Sequence, residues 1–192
     1  MGKLRDLVNR VAPATVGRAL ARLGLEPDEL TYLGLALAAL TPVVAWLRVL
    51  WLVPTLMAIA TLMDVLDGAV ARALNRTSRF GSYLDSVTDR LSDALFIIAL
   101  IVLGSNVYIS VIALTFSFLV SYARSKGEQL GVKMEGVGLA ERGERSVLLF
   151  FAAIAVVLGG TVVCNAILLL VAALAAITVV QRSVHVRRAL TS

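Results

Sequence analysis

Apolar residues run in six blocks, at 31–47, 52–63, 95–103, 107–120, 147–158 and 162–180. A helix that crosses a bilayer needs about 20 residues at 1.5 Å of rise each. The second, third and fifth blocks reach that length only by absorbing charged neighbours. Met63 continues through Asp64, Asp67 and Arg72; Leu95 begins upstream near Ser82; Val147 begins near Glu141. Those charges therefore belong to helix ends. Short links at 48–51, 104–106 and 159–161 join the spans on one face, with Trp46 and Trp51 placed as interfacial anchors. Ahead of the first block, Leu4, Leu7, Val8 and Val11, then Val16, Leu20 and Leu23, recur at helical spacing with Arg between them. That pattern reads as an amphipathic helix on a membrane surface, broken near Pro13, with a solvated basic arm as the alternative. Without an unbroken apolar core or a cleavage site, it does not read as a signal peptide. The expected fold is an all-α integral membrane protein: six transmembrane helices preceded by an N-terminal amphipathic interfacial helix. Residues 1–30 form the surface segment, 31–186 the six-helix domain and 187–192 a short tail.

Composition agrees. Of 192 residues, 59% are apolar and 16% charged, with a mean hydropathy of +0.88. A soluble domain is nearer 45–50% and about 25%, so a soluble enzyme, a disordered chain and a disulfide-stapled module are excluded. The single Cys164 has no internal partner and reads as a core filler. The net charge of +5 is better matched by a membrane surface than by nucleic acid. Seventeen of the 18 Lys and Arg residues, and all 13 acids, fall on the face carrying the termini and the long loops; Arg48 alone lies opposite. The positive-inside rule then places both termini and the charged face in the cytoplasm of a multi-pass cell-membrane protein.

The acids are patterned. Asp64 and Asp67 are three residues apart, Asp85 and Asp89 four, so each pair shares one face of its helix. With about eight residues between the helices, the spans are expected to be antiparallel neighbours, their four carboxylates converging at the cytoplasmic ends. Four carboxylates beside hydrocarbon repel one another unless something positive joins them. Arg72 and Arg90 are nearby, but oxygen-only ligands in a tight cluster suit a hard divalent cation, Mg²⁺ or Mn²⁺. Gly68, Ala71 and Gly81 leave room for a bulky ligand or for close helix packing, and Arg72 is placed to meet a phosphate.

These residues spell D-x2-D-G-x2-A-R-x8-G-x3-D-x3-D, and the chain resembles the CDP-alcohol phosphotransferase family in every defining position: Asp64, Asp67, Gly68, Ala71, Arg72, Gly81, Asp85 and Asp89. The resemblance implies that the four aspartates hold two divalent ions per active site. It implies that Asp89 is also the catalytic base for the acceptor hydroxyl. The CDP-lipid is expected against Asp67, Gly68, Ala71, Arg72 and Gly81, with Pro27 and Thr31 matching a Pro-x3-Thr element near the nucleotide. The products are a phosphodiester lipid and CMP. A homodimer through spans three and four is also implied, with Ser117 and Ser121 small enough for close packing.

The acceptor is read from the second half. Arg124 ends span four after Ser121, Arg142 opens span five and Arg182 lies near the end of span six. Three cations on the face of the acids suit a phosphorylated alcohol better than a neutral one; the other reading is positive-inside charge or contacts with anionic lipid. The Ser-Tyr-x-Arg and G-L-A-E-R-x-E-R strings resemble the inositol-phosphate branch, with Gly143 as a departure. That makes Ser121, Arg124, Arg142 and Arg182 the expected acceptor-phosphate ligands and inositol phosphate the acceptor. Phosphatidylglycerophosphate synthase, taking glycerol phosphate, is the rival. The donor is CDP-archaeol or CDP-diacylglycerol; only four Asn and two Gln tilt the reading toward a thermophile and an archaeal lipid. A divalent-cation transporter, the alternative of another class, should place its acids near mid-membrane on broken helices.

Overall fold

The computed structural model describes residues 14–76 and 78–191. Among them are seven helices: α1 Ala14–Arg22, α2 Pro27–Trp46, α3 Leu52–Ala73, α4 Arg79–Val102, α5 Val107–Gln129, α6 Arg142–Val157 and α7 Thr161–Thr191. The amphipathic pattern of the first 13 residues, and the expected break at Pro13, lie outside the described residues; the first described helix is Ala14–Arg22.

Local chemistry sets the ends. Glu26 and Glu29 form a reciprocal capping box, and Pro27 fills the first turn of α2, where its missing N–H costs nothing. Ser78 caps α4 by accepting the Gly81 N–H at 2.8 Å, and Asn106 caps α5 by accepting the Ile109 N–H at 3.2 Å. Asn75 closes α3 in the left-handed region (φ 50°), a conformation Asn tolerates better than most residues.

Four helices, α2, α3, α5 and α7, are long and apolar enough to cross a membrane. The expected six are thus met in part. Helix α4 has the length, 24 residues, but carries Asp85, Asp89, Arg90 and Asp93 along it. Helix α6 has 16 residues, about 24 Å, short of a 30 Å core. The chain is an all-α, multi-pass membrane protein, and residues such as Leu33, Leu40, Val111, Ile112 and Leu169 stand exposed on its apolar helices. A water-soluble surface does not carry apolar area on that scale.

The described residues divide into two compact units, one up to residue 103 and one from residue 104 on. In the first, α2 packs against both α3 and α4, which barely touch each other. The expected direct pairing of the two acid-bearing spans is therefore replaced by a shared neighbour. The reason lies in α2, whose buried positions Thr31, Gly34, Ala38, Thr41 and Ala45 are small and recur every three or four residues. Small stripes let helix backbones approach closely: a Cβ on Gly34 would lie 3.2 Å from the Met63 Cβ and 3.3 Å from the Ala60 carbonyl oxygen. Helix α1 also lies on α3.

In the second unit, α7 packs against α5 and α6. Its buried residues Cys164, Leu168, Val171, Ala175, Thr178 and Arg182 form one stripe. Cys164 is buried and free, as a core filler should be. On α5 the buried set is Ser110, Ala113, Ser117 and Val120. Ser117, expected at a dimer contact, is buried within the chain itself.

Candidate active site

The acids are placed by helix geometry. Asp64 and Asp67 sit one turn apart near the end of α3, and Asp85 in the second turn of α4. Carboxylate oxygens of all three lie within 4.8 Å of one another. Asp67 is only 6% exposed and accepts a 2.6 Å hydrogen bond from the Thr31 hydroxyl. The Pro27 carbonyl, 3.1 Å from the same hydroxyl, is its alternative acceptor. The close packing of α2 on α3 is what brings Thr31 to Asp67, so the Pro27-x3-Thr31 element joins the motif through a side-chain contact.

Asp89 lies one turn beyond Asp85, outside the trio, and is 8% exposed. Its Oδ2 is 3.7 Å from Nη1 of Arg90, whose guanidinium also donates to the Ser86 carbonyl at 2.5 Å. Arg72 is exposed and folds back over Gly68: a Cβ there would lie 3.3 Å from the Arg72 Nη1. A Cβ on Gly81 would press on the Ser78 hydroxyl at 3.1 Å and stand 3.8 Å from Asp28 Oδ1. The two motif glycines thus leave room for a cap and a guanidinium.

The sequence reading missed several residues here. A small cavity beside Asp64, about 10 Å³ in volume, is lined by Thr31, Gly34, Leu35, Ala60, Thr88 and Ser92. That is room for roughly one water. Thr88 and Ser92 stand three and seven residues after Asp85, so helical spacing could have found them. Asp28 had no such signal, because its approach to Gly81 depends on the fold.

The cations of the other unit are held locally. Nε of Arg124 is 2.9 Å from Glu128 Oε1, one turn along α5. The Ser121 hydroxyl points to the Ser117 carbonyl at 3.4 Å. Arg142 is the first residue of α6, after the N-cap Glu141. Arg182, 2% exposed, donates from Nε to the Val137 carbonyl at 2.9 Å and from Nη1 to the Val120 carbonyl at 2.5 Å. Arg145, the last residue of the G-L-A-E-R-x-E-R string and given no ligand role there, is buried and donates to the Ala140 carbonyl at 3.1 Å.

The trio fits a metal. All its donors are carboxylate oxygens, the ligands of hard divalent ions rather than of zinc or copper. Three like charges at this separation oppose one another strongly in a half-buried site, and a divalent cation reverses that repulsion.

Three comparisons extend this geometry. The sequence model of CDP-alcohol phosphatidyltransferases matches residues 25–181. The archaetidylinositol phosphate synthase of Pyrococcus horikoshii is 38% identical over 179 residues, covering 91% of this chain and 90% of that one. The phosphatidylinositol phosphate synthase of Cutibacterium acnes is 36% identical, covering 92% and 93%. Among solved structures, the phosphatidylinositol phosphate synthase of Mycobacterium tuberculosis with manganese and citrate superposes with a TM-score of 0.78 at 29% identity, covering 91% of this chain and 88% of that one. The same enzyme with CDP-diacylglycerol bound gives 0.75 at 28%, covering 92% and 94%.

Proposed function

Because the chain belongs to the CDP-alcohol phosphatidyltransferase family, we propose that it transfers a phosphatidyl or archaetidyl group from a CDP-lipid to a hydroxyl of inositol phosphate and releases CMP. The observation that carries this reading is the convergence of Asp64, Asp67 and Asp85, with Thr31 bonded to the most buried of them. It is a metal-dependent enzyme in a membrane. Asp64, Asp67 and Asp85, with Asp89 one turn on, hold two divalent ions, Mg²⁺ or Mn²⁺. Bound there, the ions supply charge neutralisation for the donor pyrophosphate and for the departing CMP.

The residues of the chain do the rest. Arg72, with Gly68, Ala71 and Gly81 leaving space around it, pairs with donor phosphate oxygens. Pro27 and Thr31 border the nucleotide. Asp89 accepts the proton of the acceptor hydroxyl while that oxygen bonds to the β-phosphorus. The bond from this phosphorus to the oxygen of CMP breaks, and CMP leaves with the electron pair. Ser121, Arg124 and Arg142 bind the acceptor's phosphate, and the N–H donors of Arg182 that do not hold Val120 and Val137 add to them. The enzyme works with its active site and both termini in the cytoplasm, as six spans and as a homodimer.

Helices α3 and α4 run unbroken through their acids, unlike the interrupted helices of an ion-transport site. The test is CMP release by purified enzyme from CDP-archaeol and CDP-diacylglycerol, each offered inositol phosphate or glycerol phosphate. Release that depends on Mg²⁺ and inositol phosphate is expected. A preference for glycerol phosphate overturns the acceptor, and release without any acceptor overturns the transfer.

A further inference from the structure

Helices α5 and α6 are joined by a non-helical segment of twelve residues, 130–141, that the mechanism above leaves without a part. Such a stretch is ordinarily mobile, but this one is fastened along its length to a single stripe of α7. Thr178, Arg182 and His185 follow one another at spacings of four and three, so they share a face of that helix. The Thr178 hydroxyl oxygen accepts the Ala140 N–H at 3.1 Å and donates its own proton to the Leu174 carbonyl at 2.8 Å. Arg182 holds the Val137 carbonyl. His185 Nε2 meets the Lys133 carbonyl at 3.0 Å, and because a carbonyl only accepts, Nε2 is the protonated nitrogen. The contacts climb α7 as the segment descends it, in antiparallel order.

Packing reinforces the fastening. Val132, Met134 and Ala140 are buried. Gly138 sits at φ +121°, a conformation nearly reserved for glycine, and rests on the Thr178 Cγ2 with no room for a Cβ. Ala140 is held at both backbone groups: its N–H by Thr178 and its carbonyl by Arg145. The next residue, Glu141, is the N-cap of α6, and the one after it is Arg142.

We infer that Thr178 is a positioning residue for acceptor recognition. By fixing Ala140 it sets where Arg142 stands at the head of α6. The inference rests on the reading that Arg142 binds the acceptor's phosphate, but it adds a residue that meets no substrate. A bidentate guanidinium contact tolerates little displacement, so loosening Ala140 should weaken acceptor binding and leave the CDP-lipid alone.

The experiment compares Thr178→Val with Thr178→Ser in the full-length enzyme. Valine keeps the shape under Gly138 but has no hydroxyl; serine keeps the hydroxyl. Thr178→Val should raise KM for inositol phosphate about tenfold, the scale of one lost hydrogen bond, with KM for CDP-lipid unchanged. Hydrogen exchange at 138–141 should quicken in the same variant, and Thr178→Ser should restore both. Should Thr178→Val not fold, His185→Ala releases the exposed Lys133 end of the segment and should show the same pattern more weakly. Wild-type exchange and acceptor KM in Thr178→Val, or an equal rise in both KM values, overturns the inference. Arg142→Ala, measured alongside, separates the two claims. If it leaves acceptor KM unchanged, the phosphate reading has failed; if it raises acceptor KM while Thr178→Val does not, only the positioning role has failed.

Discussion

In the unit that ends at residue 103 the charged side chains that matter project from regular helices, and one of them is held by another side chain, Thr31 on Asp67. In the unit that starts at residue 104 the charged side chains gather around a non-helical segment, and two are held by backbone: Arg182 on Val120 and Val137, Arg145 on Ala140. The difference matches the chemistry proposed for each unit. A metal site needs several oxygens at fixed short separations, and successive helical turns deliver them. A phosphate recognised by guanidinium groups needs forks set at an angle, and helices joined by a clamped segment, with Arg142 at the head of α6, can present those.

The comparison breaks most visibly at the metal. Asp64→Asn and Asp85→Asn should each lower turnover by at least about a hundredfold, the scale of losing an electrostatic contact to the transition state. Membrane insertion should survive, since three crowded carboxylates are not what holds α2, α3 and α4 together. Chelation should abolish wild-type activity and added Mg²⁺ restore it. Near-normal turnover in either variant would sink the assignment. Asp89, outside the trio, should behave differently: Asp89→Asn should lower kcat by about a hundredfold while CDP-lipid binding falls less, because a base is needed only in the reaction. Equal losses in binding and kcat would make it a ligand alone.

The second unit should respond in the acceptor's KM rather than in kcat. Arg142→Ala should raise KM for inositol phosphate about ten- to a hundredfold, as a charge-assisted contact of roughly 1.5–3 kcal/mol implies, with KM for CDP-lipid nearly unchanged. Arg142→Lys should recover only part, since the fork is lost. An unchanged acceptor KM removes the case for a phosphorylated alcohol from this end of α6.

The two units also differ in how far their sequence betrays them. Asp64, Asp67 and Asp85 were legible because a helix turns spacing into proximity, and the spacing is fixed by the chain. Their route to one another was not legible. Nothing in the short connection between α3 and α4 says that α2 is the neighbour both acid-bearing helices share; the small stripe from Thr31 to Ala45 says it only once its partners are known. The count of spans blurred for a related reason: α4 carries charges along its length and α6 has only 16 residues, so four helices, not six, are long and apolar enough to cross. The Thr178 contact was invisible, because Gly138 and Ala140 lie in a segment without period.

Thr31 sharpens the first unit further. Thr31→Val keeps the packed shape and removes the 2.6 Å bond to Asp67. The carboxylate should then be less firmly oriented, and about tenfold more Mg²⁺ should be needed for half-maximal activity, in the range seen when outer partners of metal ligands are removed. Saturating Mg²⁺ should recover most of the turnover. A Mg²⁺ dependence like that of wild type would reduce Thr31 to a packing residue.

The smallest effect is expected at Gly17, where α1 crosses α3. A Cβ there would overlap the Ala69 carbonyl oxygen and come within 2.8 Å of its carbonyl carbon, and Ala69 directly follows Gly68 of the motif. The contact is backbone against backbone, so no rotamer change can relieve it; either α1 lifts or α3 shifts. Lifting is the cheaper response, because α1 has nine residues and α3 is buried against α2 as well. Overpacking of this kind costs about 1–3 kcal/mol when it cannot relax, and less when a short surface helix simply moves aside. Gly17→Val should therefore lower the thermal midpoint in detergent slightly and raise KM for CDP-lipid by only a few-fold, leaving the acceptor's KM alone. Gly17→Ala should fall between valine and wild type. A change in acceptor KM instead would mean that the disturbance at Ala69 does not stay in the unit that carries the metal. A large loss of kcat would mean that α1 holds Asp67 in register, and the proposed division of labour between carboxylate and guanidinium halves would have to include the surface helix as a third part.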